Sequence, residues 1–230
     1  VNPLQFDRHD DFDSYPRPID DDVARCLHAG VTAVYAPTAS AMYPPAFQTH
    51  VEPGTLAIGF EGAMRPGHFR GVATVVTKLF AAAQPHIAVF GEKDFQQLAV
   101  VRQMTADLDL GITVVGVPTV REPDGLALSS RNQGLPPDDR AAASVVPRAL
   151  LAGRAAAASG APSARDVEAA VREVLDSESR ANVEYVDVVD SSTLEPASRV
   201  DPRARLMVAV WFGDVRLIDN CALAGDGDLA

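Results

Sequence analysis

Apolar positions along the chain fall into two textures. The segment DDDVARCLHAG, Asp20 to Gly30, predicts a short helix. Its acidic first turn suits the positive end of the helix dipole, and Gly30 can terminate it. VTAVYAP follows as an apolar run that predicts a buried strand. Residues 70–83 (RGVATVVTKLFAAA) predict a helix, HIAVF from His86 a short buried strand, and GEKD the loop after it. In DFQQLAVVRQMTADLDLG, Leu98, Val101, Met104 and Leu108 recur three and four residues apart, as one apolar face of a helix requires. ITVVGVP, from Ile112, predicts another strand. Strand–helix alternation of this kind favours an α/β fold with a parallel, Rossmann-like sheet and covering helices. Ligands of such sheets sit at the carboxyl ends of the strands, where the GEKD loop falls.

After Thr119 the texture changes. The loop VREPDGLALSSRNQGLPPDD leads into two predicted helices, near 138–159 and 163–176. Three strand-like segments follow, NVEYVDVVD, RLMVAVWF and VRLIDNCAL, the last two separated by Gly213-Asp214, a tight-turn pair. Helices followed by hairpin-linked strands predict a smaller α+β domain with antiparallel strands. The expected boundary lies near 119/120, giving domains 1–119 and 120–230.

Composition narrows the classes. At 230 residues and 47% hydrophobic, the chain can bury a sizeable core in one or two domains. A net charge of −11 without a basic cluster argues against nucleic-acid binding, which needs phosphate-neutralising Lys and Arg. No apolar run approaches the ~20 residues of a membrane span. The opening VNPLQFDRHDDFD is acidic and lacks the layout of a secretion signal. Cys26 and Cys221, far apart, suggest reduced buried thiols rather than a disulfide framework. The expectation is a soluble cytoplasmic protein. Basic residues are almost all Arg, with lysine only at Lys78 and Lys93. Together with runs such as RAAAAS this suggests a GC-rich coding bias, so alanine runs carry no functional reading. The Asp20–Asp22 run suits the helix dipole and solvent better than a metal.

Several short segments could carry chemistry. In FGEKDFQQ, Gly91 lets backbone approach a ligand and the following helix start offers N–H groups to an anion. Lys93 adds a mobile positive charge suited to phosphate. An ordinary β–α turn with a solvated Lys–Glu–Asp surface is the plainer reading of the same residues. Gln96 and Gln97 can each donate and accept, but only one can face a site. In DGLALSSRN, Ser129 and Ser130 can hydrogen-bond phosphate oxygens while Arg131 neutralises charge, as in a mobile lid over a triphosphate. A polar linker between domains is the plainer reading. In NPLQF, Asn2 and Gln5 are polar groups beside a turn-fixing Pro3, though chain termini commonly fray. His68, between Arg65 and Arg70, suits either a carboxylate or packed structure. His9, His28, His50 and His86 show no metal-ligand spacing, and neither HxxxH nor CxxC occurs.

Taken in order, VNPLQF, DFDSYPRPIDDD, RPGHFRGVATVV, FGEKDFQQ, VVGVPTVREPDGLALSSRN and RLIDN resemble the pantothenate synthetase (pantoate–β-alanine ligase) family in actinobacterial style. These segments span nearly the whole chain. The resemblance implies vitamin B5 biosynthesis in two steps. Pantoate carboxylate attacks the α-phosphate of ATP, giving pantoyl adenylate and pyrophosphate; the amine of β-alanine then displaces AMP. It also implies that Gly91, Glu92, Lys93 and Asp94 line the ATP site. Val120 would hold the adenine through its backbone, and Leu128, Ser129, Ser130 and Arg131 would form the triphosphate lid. Lys93, Ser129, Ser130 and Arg131 would carry the chemistry, Gln5 and Gln97 would grip pantoate, and Gln5 would also reach β-alanine. Asn2 and His68 would be neighbours. Mg2+ is expected with ATP, no tightly bound cofactor is expected, and a homodimer is implied.

The chain also departs from the family pattern. The family carries, before NPxQF, a strand and helix with a His-x-Gly-His type motif. This chain starts at Val1, and none of its five histidines lies in such a pattern. A truncated gene model, a fragment, or a short protein with a degenerate site would each give this sequence. The expectation is an N-terminally incomplete domain that, alone, loses most adenylate-forming activity and exposes the face where a further unit would pack. Leu128 stands where the family often has Met, a volume-conserving swap. A relic that binds nucleotide or pantoate without turnover, and another nucleotidyltransferase of the same fold, are the alternatives.

Overall fold

The structure, a computed structural model, describes residues 1–6, 12–13, 15–159 and 163–225. Contacts divide the chain into two units, Val1–His86 with Gln103–Ile112, and Ile87–Arg102 with Thr113–Ala230. His9 lies outside the described residues.

In the first unit, α1 (Ile19–His28) carries three aspartates in its first turn and Arg25 and His28 in its last, the favourable polarity for its dipole. Gly30 turns the chain at φ 77°. The strand expected at residues 31–37 does not form. The run is irregular, and Val34 and Tyr35 are 45% and 60% exposed. A strand needs a ladder partner for its N–H and C=O groups, and among the described residues none pairs with this run. Apolar composition alone could not supply that partner. Two short helices, α2 (Ala39–Met42) and α3 (Glu61–Met64), precede α4 (His68–Ala83). α4 buries Phe69, Val72, Ala73, Val76 and Phe80. The N-terminal segment is not frayed but pinned on α4. A Cβ at Gly71 would stand 2.2 Å from the Leu4 carbonyl oxygen and 2.7 Å from the Gln5 nitrogen, so only glycine admits this approach.

In the second unit, β1 (Ile87–Gly91) and β2 (Thr113–Val117) pair in parallel, with Val89 opposite Val115 and Gly91 opposite Val117. The intervening α5 (Phe95–Asp107), which from Gln103 on belongs with Leu108 to the first unit, buries Leu98 and Val101 completely, while Leu108, just past its end, stays 44% exposed. HIAVF, expected as a buried strand, is not buried on both faces, and neither is β2. Ile87 and Val89 are 60% and 61% exposed, and Val115 and Val117 39% each. Only the other face is covered: at Gly116 a Cβ would come 2.9 Å from Leu98 Cδ2, so α5 lies tight against that side.

The rest of the second unit packs helices on an antiparallel sheet. The predicted helix at 138–159 is two helices, α6 (Pro137–Ala142) and α7 (Val145–Ala158). Pro147 has no N–H to continue a helix from Ala143, but is tolerated in the first turn of α7. α8 (Ala164–Asp176) starts with a reciprocal Ser163–Asp166 capping box and buries the stripe Ala164, Val167, Val171 and Leu175. β3 (Ala181–Asp190), β4 (Ala204–Phe212) and β5 (Val215–Ala222) form a sheet in the order β3–β4–β5, with Gly213 at φ 56° in the last turn. Leu206, Val208, Val210 and Phe212 of β4 face the core shared with α7 and α8. Alternation sends Arg205 and Met207, and their β5 neighbour Asn220, to the opposite face. The fold is therefore α/β, with a parallel pair and a separate antiparallel sheet. Cys26 and Cys221 are both free, and burial pushes the Cys221 thiol up to about 12. No described helix is long and apolar enough to cross a membrane.

Gly71→Ala is expected to destabilise the chain by about 1–3 kcal/mol, because backbone rather than a movable side chain occupies the space. Urea unfolding checks this; a loss under about 0.5 kcal/mol would contradict the close packing.

Candidate active site

The loop after β1 is bound from below. Gly91 has φ −71° and ψ 138°, a conformation open to any residue, and a Cβ there would meet nothing within 4 Å. Neither backbone conformation nor internal packing demands glycine, and the side where a Cβ would project is open. Glu92–Asp94 form one 3₁₀ turn that runs into α5. Asn220 on β5 donates to both the Glu92 carbonyl (3.0 Å) and the Lys93 carbonyl (2.9 Å). Arg205 on β4 donates to Glu92 Oε2 (3.0 Å), and its guanidinium lies 3.9 Å over the Phe95 ring. The loop is thus fixed to the antiparallel sheet from its carbonyl side.

The second loop is fixed to the same edge strand. Arg121 makes a two-pronged pair with Asp219 (2.7 and 3.1 Å) and also donates to the Gly125 carbonyl (3.0 Å). Both partners are nearly buried, at 10% and 2% side-chain exposure, which makes the pair a geometric pin. The Leu128 N–H donates to the Val120 carbonyl (2.8 Å), and Asn132 Nδ2 donates to Glu122 Oε1 (2.5 Å) and the Ala127 carbonyl (3.0 Å). Ser129 caps a 3₁₀ turn, Ser130–Gly134, by accepting from the Arg131 N–H.

These two loops share one concavity. Lys93, Ser129, Arg131, Asn132, Arg216 and Asp219 line it, with an apolar floor of Leu126 and Val146. Its charges divide by partner. Arg216 is held in two hydrogen bonds of 2.8 Å by Glu184, which also accepts from Trp211 Nε1 (2.6 Å), and Arg121 is matched by Asp219. Lys93 Nζ lies 3.8 Å from the carboxylate of Asp94, itself 54% exposed. Among the described residues no carboxylate pairs with the Arg131 guanidinium. An anion entering this concavity meets two cations whose charge is largely uncompensated.

The sequence-predicted residues fall as follows. Lys93, Ser129 and Arg131 come together; Glu92 turns away to Arg205, and Ser130, Val120 and Leu128 are exposed and outside the lining, the last two by 66% and 57%. Gln96 is 2% exposed, whereas Gln97 is half-buried without a side-chain partner among the described residues. In the first unit, Asn2 Nδ2 donates to Gln5 Oε1 (2.8 Å) and Tyr43 Oη–H donates to Asn2 Oδ1 (2.7 Å). The Gln5 carbonyl accepts from Arg65 (3.1 Å) and bonds His68 Nδ1 (2.8 Å). His68 is buried against the Gln5 carbonyl, and with Asn2 it sets the pose of Gln5. With Oε1 engaged by Asn2, the Gln5 Nε2 group is left to donate. Arg121, Arg205, Asp219 and Asn220 carry the scaffold and were not singled out from sequence. Charged and amide side chains at the centre of the apolar strand VRLIDNCA were the available signal.

The description Pantoate-beta-alanine ligase belongs to a family model that matches residues 1–222. The chain belongs to that family. It is 51% identical over 226 residues to the pantothenate synthetase of Rhizorhabdus wittichii, covering 97% of this chain and 79% of the relative. The crystal structure of pantoate-beta-alanine ligase (pantothenate synthetase) from Thermus thermophilus matches with TM-score 0.93 and 48% identity, over 97% of this chain and 81% of that one. The Francisella tularensis ligase, complexed with beta-gamma ATP and β-alanine, matches with TM-score 0.74 and 29% identity, over 98% of this chain and 78% of that one. Nothing in these matches favours another nucleotidyltransferase.

In this ligase-family chain three arginine-paired carboxylates of the second unit, Glu122, Asp124 and Glu184, are held ionised. Arg140 hydrogen bonds, followed by Asn132, keep Glu122 below the usual range, and Arg140 does the same for Asp124. Arg216, with Trp211, keeps Glu184 low against the effect of burial. Each therefore takes up its proton at lower pH in the folded chain than in the unfolded one. Their stabilisation is fully present above the ordinary carboxylate range and is lost as pH falls through that range toward the lower folded values. Urea midpoints should fall across that window. Glu184→Gln should be less stable at pH 7 and less sensitive to acid; an acid response equal to the parent's would contradict the role given to Glu184.

Proposed function

We propose that this chain condenses pantoate with β-alanine at the expense of ATP, through pantoyl adenylate, releasing pyrophosphate and then AMP. The observation that carries the reading is the meeting of Lys93, Ser129 and Arg131 at one concavity whose other arginines are paired. In the first step a pantoate carboxylate oxygen forms a bond to Pα while the Pα–O bond to pyrophosphate breaks. Negative charge builds on the departing oxygens, and fixed cations with hydroxyl donors stabilise it best where little reorganisation is needed. Lys93 and Arg131 supply the charge; Ser129 and Ser130 supply hydroxyls. In the second step the β-alanine nitrogen bonds to the acyl carbon, the C–O bond to AMP breaks, and the amine loses a proton.

Gly91, Glu92 and Asp94 are assigned with Lys93 to the nucleotide, Gly91 through its open side and Glu92 by supporting the loop. Val120 and Leu128 are assigned to the adenine edge through backbone; the Val120 carbonyl keeps one lone pair beyond its bond to Leu128. Gln5 and Gln97 are assigned to pantoate, Gln5 also to β-alanine, supported by the family resemblance, by the donor left on the Gln5 amide once Asn2 holds its Oε1, and by the half-buried Gln97 amide. Residues 1–119 are read as the nucleotide- and pantoate-binding part and 120–230 as the part carrying the lid. Magnesium is treated as part of the substrate, because it takes much of its coordination from phosphates and water. A homodimer is proposed on the family resemblance, and a cytoplasmic setting on the two unpaired thiols.

Pantoate-dependent exchange of pyrophosphate into ATP tests the reading, and its absence in the chain would overturn it. Lys93→Ala should slow single-turnover adenylation by roughly a hundredfold while ATP affinity changes by less than about fivefold, since its charge acts mainly on the transition state. Collapse of ATP affinity with an unchanged adenylation rate would reverse that assignment.

A further inference from the structure

We propose that Asn220 is a positioning residue for Lys93, holding the lysine's backbone so that its amine enters the concavity lined by Ser129 and Arg131. The proposal rests on the reading of Lys93 given above and deepens it. Asn220 lies on β5, the edge strand, and is 2% exposed. Its amide is used in one sense only. Oδ1 accepts from Arg205 Nε at 2.6 Å, and a guanidinium can only donate, so the oxygen must face Arg205. The NH2 group therefore faces the loop, and its two hydrogens go to the consecutive carbonyls of Glu92 and Lys93. Two hydrogen bonds from one planar amide to adjacent peptide units fix the rotation of the backbone at Lys93, not merely its distance from the sheet.

Arg205 determines that amide orientation. It is 6% exposed, with its charge met by Glu92 and its face covered by Phe95. Glu92, Lys93 and Phe95 are thus tied within four residues to β4 and β5. The residue before Asn220 faces the other side of the strand and pins the second loop: Asp219 pairs with Arg121 and lines the same concavity as Lys93. The dipeptide Asp219-Asn220 sets both walls of the site from one strand edge.

The test uses the full chain, whose only lysines are Lys78 and Lys93, so Lys78 serves as an internal reference. Competitive acetylation, read by mass spectrometry, gives the ratio of Lys93 to Lys78 labelling. Asn220→Asp keeps an acceptor for Arg205 but has no NH2 group for the two carbonyls, so it removes the clamp while sparing the sheet. In Asn220→Asp and Asn220→Ala the ratio should rise about fivefold or more, as expected when two hydrogen bonds are lost. Val188→Ala, which hollows the core without touching the loop, should lower the unfolding midpoint and leave the ratio unchanged. An unchanged ratio in Asn220→Asp, or an equal rise in Val188→Ala, would overturn the proposal. In the exchange assay Asn220→Asp should lower kcat by about tenfold with KM for ATP within about threefold. If the parent chain shows no exchange, the functional reading fails, while the labelling ratio still decides the positioning role.

Discussion

Burying Arg205 is the constraint on which the second unit's chemistry depends. A guanidinium removed from water must find acceptors and a face to lie on, or the fold is destabilised by several kcal/mol. Here Glu92, Asn220 and the Phe95 ring meet those needs: Glu92 and Phe95 come from the turn after β1 and the start of α5, and Asn220 from β5. The requirement of one cation therefore couples the end of a parallel strand to an antiparallel sheet. The loop between Gly91 and Phe95 inherits its shape from that coupling, and Lys93 inherits its direction.

Charge pairing then decides which groups remain for a ligand. Arg121, Arg140, Arg205 and Arg216 each answer a carboxylate within 3.1 Å, so the carboxylates of an acidic protein are used in building the walls. Lys93 is matched only weakly, 3.8 Å from the exposed Asp94 carboxylate, and no carboxylate among the described residues pairs with Arg131. A net charge of −11 would repel an anionic substrate in general, yet the concavity presents locally positive groups. Local geometry prevails over net charge because a Debye length near ~8 Å screens the distant residues at physiological salt.

The sequence made the periodic elements legible and the pairings much less so. Val167, Val171 and Leu175 declare a helix face, and Gly213-Asp214 declares a hairpin, because both signals are local. The run at 31–37 looked like a strand because composition reports apolarity but not the presence of a ladder partner. The exposed faces of Ile87 and Val89 were hidden for the same reason: a run apolar on both faces does not say whether both are covered. FGEKDFQQ and DGLALSSRN were visible as candidate loops, yet the bonds that orient them come from Asn220 and Asp219, more than 80 residues away in sequence from either. Gly71 is a further case, since its need for glycine arises from Leu4 and Gln5 far upstream.

The loop at Lys93 and the loop at Ser129–Arg131 are proposed to form one nucleotide-phosphate site. Amide hydrogen exchange of the chain with and without MgATP tests it most directly, since bound phosphate should slow local opening wherever it is gripped. The account predicts added protection in residues 91–97 and 128–134 together, at the same MgATP concentration. Protection confined to one of these segments, or found only elsewhere in the chain, would contradict it.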